Sequence, residues 1–109
     1  MNRSRILVRA AAGIVLLARL GIAPAAAEEV VVPIKSFTFL PMDLHVSVGT
    51  TVTWKNMDEE PHTVTSLTGL FRSGGIDGGG RFSFKFVSPG IYRYVCSIHP
   101  QMTGTVTAR

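Results

Sequence analysis

Cysteine is nearly absent from this chain of 109 residues: Cys96 is the only one, so no disulfide can form within it. Long apolar runs are missing too. The stretch from Ala10 to Ala18 stops at Arg19, well short of the roughly 20 residues that a membrane-spanning helix needs. Beyond residue 27 no segment has a helical period of useful length. No acid–base pair sits at a telling spacing and no nucleophile lies beside a base, which removes the usual grounds for reading an enzyme with turnover of its own. Basic charge is scarce where it would count. The formal charge of +4 comes from eleven Lys and Arg against seven Asp and Glu. Four of those arginines, Arg3, Arg5, Arg9 and Arg19, fall within residues 1–27, which carry no acid. The remainder is balanced, with no basic patch interleaved with aromatics, so nucleic acid is excluded as a partner.

What residues 1–27 do have is a basic head, a short apolar stretch and the small residues Ala25, Ala26 and Ala27 just before Glu28. That pattern describes a secretory signal peptide, cleaved on export to the periplasm. The expected mature chain, 28–109, forms one domain with no stable insertion in the membrane. A domain of this size buries only about 60 to 65 per cent of its unfolded surface. Small exported domains often compensate with disulfides, and this one cannot. An unpaired thiol in an oxidising compartment is buried, paired between chains, or bound to metal.

The mature segment reads as short strands between turn signals. Phe37 and Phe39 alternate with polar neighbours before Pro41. Leu44, Val46 and Val48 alternate with His45 and Ser47, and Val52 and Trp54 continue the period of two after Gly49-Thr50. His62 to Ser66 follows Pro61 as a further strand. Phe82, Phe84 and Phe86 share one face, then Tyr92, Tyr94 and Cys96 share another after the turn at Ser88-Pro89-Gly90. Gly104 to Ala108 closes the chain. Seven or so strands at this spacing predict an all-β fold, a Greek-key antiparallel sandwich. Leu67 to Gly80, with six glycines, reads as a crossover loop of low intrinsic order.

Chemistry concentrates in Cys96-Ser-Ile-His99-Pro-Gln-Met102. A thiolate, an imidazole and a thioether lie within seven residues, and His62 offers a second imidazole from elsewhere. Cys, two His and a weak axial Met are the donor set of an electron-transfer copper site. A structural zinc site favours a further Cys or His over Met. Each residue alone has a plainer reading: a buried thiol, a surface histidine, a core methionine. The joint spacing argues against those readings. His45 falls on an outward face and reads as solvated, while Met42 and Met57 read as rim or gap-filling residues.

The wider pattern supports this. Phe39-x-Pro41, Val46-x-Val48-Gly49-Thr50, Val52-Thr53-Trp54-Lys55-Asn56, Asp58, Pro61-His62-Thr63-Val64, Phe82-x-Phe84 and Tyr92-x-Tyr94-x-Cys96-x-x-His99-Pro100-x-Met102-x-Gly104 together resemble the cupredoxin family of small blue (type 1) copper proteins. The short spacing from His99 to Met102 resembles the amicyanin branch of that family. The resemblance implies one copper ion per chain, cycling between Cu(I) and Cu(II) and held by His62, Cys96, His99 and Met102. It also implies a monomeric periplasmic electron carrier whose partners are redox proteins, such as a c-type cytochrome or a quinoprotein dehydrogenase. His99 would sit mid-loop, its ring edge reaching the surface through Pro61, Ile98 and Pro100. Asn56 and the Thr63 backbone would tune the potential. Thr63 itself departs from the Asn or Ser usual there, and Gly78-Gly79-Gly80 from a less flexible turn. The rival reading is a periplasmic copper carrier or homeostasis protein on the same fold, for which clustered Met or His would be expected; the four methionines here are dispersed.

Overall fold

Two four-stranded sheets enclose the apolar side chains that the period-two pattern singles out. The computed structural model describes residues 28–109, so the expected leader lies outside the described residues. The strands are β1 (Glu29–Lys35), β2 (Thr38–Phe39), β3 (Asp43–Val46), β4 (Thr51–Asn56), β5 (Thr65–Ser66), β6 (Arg81–Lys85), β7 (Gly90–Cys96) and β8 (His99–Ala108). One sheet runs β2-β1-β4-β6 and the other β3-β8-β7-β5. Among the described residues no helix is long and apolar enough to cross a membrane.

Burial follows the pleat. Val32 and Ile34 of β1, Val52 and Trp54 of β4, Tyr94 and Cys96 of β7, and Met102, Val106 and Ala108 of β8 all point inward. Alternate residues such as Arg93 and Ile91 stay exposed. Successive side chains on a strand face opposite ways, so one apolar set per strand suffices for a half-buried sheet. At the centre the Trp54 Nε1–H donates to the Tyr94 hydroxyl at 3.1 Å, joining the two sheets. Phe71, Phe82, Phe86 and Tyr94 surround the indole with ring centroids 5.3–6.5 Å away. Burial of the Tyr94 phenol pushes its pKa up to about 12, with the indole hydrogen bond opposing.

The sandwich matches the sequence reading, with differences that have physical causes. Two of the pairings are parallel, β1 with β4 and β3 with β8. Alternation reports which residues face inward and is blind to which strand lies alongside. Phe37 is not in a strand: it sits with Ser36 in the tight turn between β1 and β2. Of His62 to Ser66, only Thr65 and Ser66 form a strand, while His62 makes an isolated bridge with Ile76. The glycine-rich stretch is more ordered than its composition suggests, because Phe71 and Ile76 are buried in the core and anchor it.

Candidate metal centre

The β7–β8 hairpin builds one half of the site. Alternation along β7 buries Tyr94 and then Cys96, and a register irregularity between Val95 and Cys96 ends the strand. Only Ser97 and Ile98 intervene before His99, which pairs across the hairpin with Cys96. His99 is therefore the first residue of β8 and not, as the sequence suggests, the middle of a loop. Its Nδ1 stands 3.5 Å from the Cys96 sulfur. Met102 follows three residues along β8 and is buried.

His62 comes from the segment before β5, is fully buried, and is held at its backbone N–H, its carbonyl and Nε2. Its N–H donates to the Ile76 carbonyl at 3.1 Å and its carbonyl accepts the Ile76 N–H at 2.7 Å. Its Nε2 meets Asp58 Oδ2 at 2.9 Å. A carboxylate can only accept, so Nε2 carries a proton and donates it to Asp58, which leaves Nδ1 as the ring nitrogen that faces the sulfur. That Nδ1 lies 3.9 Å from the Cys96 sulfur. The ligand atoms of His62, Cys96 and His99 all fall within 4.8 Å of one another.

The sulfur sits in an environment suited to a thiolate. Burial alone would push the thiol up. That effect is outweighed by the Thr63 N–H, which donates to the sulfur at 3.3 Å, by both imidazoles and by the Ile98 N–H, bringing the pKa down to about 6. Asp58 is treated likewise: burial raises it, but the Phe37 N–H, His62 and the Ser36 N–H hold it below the ordinary carboxylate value. Thiolates are the metal-binding form of cysteine. The lowered pKa of Cys96 favours that form.

Residues around the donors brace the loops that carry them. Asn56, which the resemblance implies tunes the potential, makes its hydrogen bonds away from the sulfur. Its Nδ2 donates to the carbonyls of Glu60 (2.8 Å) and Ile76 (2.9 Å), and its Oδ1 accepts the Asp58 N–H at 2.9 Å. It braces the loop that carries Asp58 and His62. Gly78 packs against the same loop so closely that a Cβ would lie 2.8 Å from the Asp58 carbonyl oxygen. The Thr63 hydroxyl accepts the Ser97 N–H at 2.7 Å and exchanges hydrogen bonds with the Ser97 and Thr65 hydroxyls at 2.9 and 3.1 Å. His45 stays apart from the site, exposed beside Asp43 and Arg109.

One thiolate and two imidazoles, with a buried thioether three residues beyond, fit a type 1 copper ion by the chemistry of the set. Beside His99 the surface is apolar: Phe37, whose ring stands 4.9 Å away, and the chain neighbours Ile98 and Pro100 are all exposed.

Comparison with known proteins agrees. The family profile of the cupredoxin-like domain matches residues 8–108. Amicyanin of Paracoccus denitrificans is 37% identical over 93 residues, covering 76% of this chain and 71% of that protein. Amicyanin-alpha of Methylorubrum extorquens is 34% identical over 89 residues, covering 77% and 73%. Among solved structures, the Cu(I) form of an amicyanin mutant superposes with a TM-score of 0.72 at 32% identity, over 78% of this chain and 86% of that one. A purple cupredoxin from Nitrosopumilus maritimus gives 0.66 at 35% identity, over 75% and 99%.

Proposed function

Because this chain belongs to the cupredoxin family, we propose that it is a periplasmic one-electron carrier holding one copper ion through His62, Cys96, His99 and Met102. The observation that carries this reading is the convergence of two imidazole Nδ1 atoms on one thiolate sulfur, at 3.9 and 3.5 Å. When bound, the copper supplies a one-electron couple that needs no proton transfer and no substrate. The protein's part is to keep its ligands still as the charge changes, since each relaxation would add to the barrier. His62 is pinned by two backbone hydrogen bonds and one to Asp58; the Cys96 sulfur accepts the Thr63 N–H. Asp58, by fixing the imidazole tautomer, makes His62 a better donor. Met102, buried on β8, would supply the weak fourth donor. The apolar surface around His99 suits brief docking of redox proteins.

A copper carrier on the same fold would need donors open to exchange, whereas His62 and Cys96 are both fully buried. That favours the shuttle. Purified protein given one equivalent of Cu(II) should develop an intense visible thiolate-to-copper band and a reversible one-electron wave, both absent in Cys96→Ser. A colourless product with no wave would sink the proposal. Periplasmic fractionation and N-terminal sequencing test export, with Glu28 expected as the first residue.

A further inference from the structure

The tip of the β1–β2 hairpin goes against the residue preference that its geometry sets. Lys35 pairs with Thr38, leaving Ser36 and Phe37 as a two-residue loop. Both have left-handed backbones, with φ of 53° and 58°. Two positive φ values in such a loop belong to a type I′ turn, where Asn-Gly is preferred because a side chain crowds the backbone. A bulky residue in that conformation is a true outlier. Outliers of this kind persist only where surrounding contacts over-determine them, and they gather at functional sites.

Two contacts do so here. The Asp58 carboxylate captures the turn, accepting the Ser36 N–H at 2.7 Å and the Phe37 N–H at 2.9 Å. The Phe37 ring stands edge-on to both imidazoles, with centroids 5.0 Å from His62 and 4.9 Å from His99 at interplanar angles of 88° and 87°. Burial does not explain the ring: Phe37 is 43% exposed, while Phe39 two residues on is fully buried in the core.

The two histidines differ in how much they need this support. His62 has its backbone bridge to Ile76 and its carboxylate partner. The half-buried His99 side chain meets the Cys96 sulfur, the His62 ring at 5.2 Å and the Phe37 ring. We infer that Phe37 is a positioning residue for His99: the turn accepts a strained phenylalanine so that its ring seats the more exposed imidazole against the sulfur. This rests on the copper reading above.

Phe37→Gly separates positioning from folding, because it removes the ring while suiting the backbone. In the metal-free state its denaturation midpoint should be no lower than wild type. The His99 ring signals in NMR spectra of that form should broaden or average. The copper-loaded variant should release Cu(II) to a competing chelator about tenfold faster, the low end for loss of a residue that orients a ligand. Phe37→Leu, which keeps bulk and strain without an aromatic edge, should also release faster than wild type. Unchanged His99 signals and release in Phe37→Gly, or wild-type release in Phe37→Leu, would overturn the inference. So would a lower midpoint in Phe37→Gly, since a looser fold would then explain the release. Wild-type protein that takes up no copper sinks the functional reading instead, and the His99 signals of the metal-free protein still judge Phe37.

Discussion

Asp58 Oδ2 lies 2.9 Å from His62 Nε2, four residues along the chain and across Pro61. The same carboxylate accepts the Ser36 and Phe37 amides, so one acid joins the first hairpin to a buried imidazole. Replacing it by Asn keeps the shape but removes the charge and an acceptor. Copper affinity should fall at least about tenfold, as for other partners of metal-bound histidines. With the adjacent negative charge gone the reduced ion is favoured, and the potential should rise. Chelator competition and voltammetry check both. Unchanged values would mean that the hydrogen bond does not reach the metal.

The Thr63 hydroxyl joins two segments of the site. It accepts the Ser97 N–H at 2.7 Å, tying the segment of His62 to the residue after Cys96. Thr63→Val preserves volume and leaves the Thr63 N–H on the sulfur, but orphans the Ser97 amide. The loss should be about 1 kcal/mol, the low end for an unmet donor, since Ser97 borders solvent. Faster hydrogen exchange at Ser97, with little change elsewhere, is the expected signature.

Gly104 pairs across β7–β8 with Tyr94, and a Cβ there would run into the phenol ring. Tyr94 cannot retreat, because Phe39 and Trp54 pack on it at 4.8 and 5.3 Å. Gly104→Ala should therefore destabilise the fold by about 3 kcal/mol, the upper end for overpacking a core. Urea unfolding measures it, and a loss below about 1 kcal/mol would mean that the β8 backbone shifts aside.

The Cys96 thiol gives the metal-free protein a pH-dependent stability of definite sign. Its pKa falls from 9.0 to about 6 on folding. The folded state therefore releases the proton more readily, and the contribution is fully present above pH 9.0. It shrinks as pH drops and is gone once pH passes below about 6. Urea midpoints of metal-free wild type, taken relative to Cys96→Ser, should rise from pH 6 to pH 9. A flat difference would show that the sulfur is not held as thiolate.

Local pattern made much of this protein readable. Alternation around Trp54, Phe84 and Tyr94 marks the inward faces correctly, because the pleat imposes a period of two on any strand buried on one side. The spacing from Cys96 to Met102 marks the late donors, because a tight hairpin brings such residues together whatever surrounds them. Phe37 is legible only as an apolar residue between polar neighbours, and the alternation it shares with Phe39 suggests a strand. The acid that holds it in a turn is 21 residues away. The glycines of Leu67 to Gly80 suggest slack, yet Ile76 within them carries the backbone bridge to His62.

By itself the amino-acid order determined an all-β chain and the identity of the soft donors, since both depend on neighbours a few residues apart. Only the tertiary structure decided that Asp58, Phe37 and Ile76 surround those donors, and that β1 lies parallel to β4. The reason is that contacts between distant segments leave no period in the sequence: they arise when the two sheets close on one core.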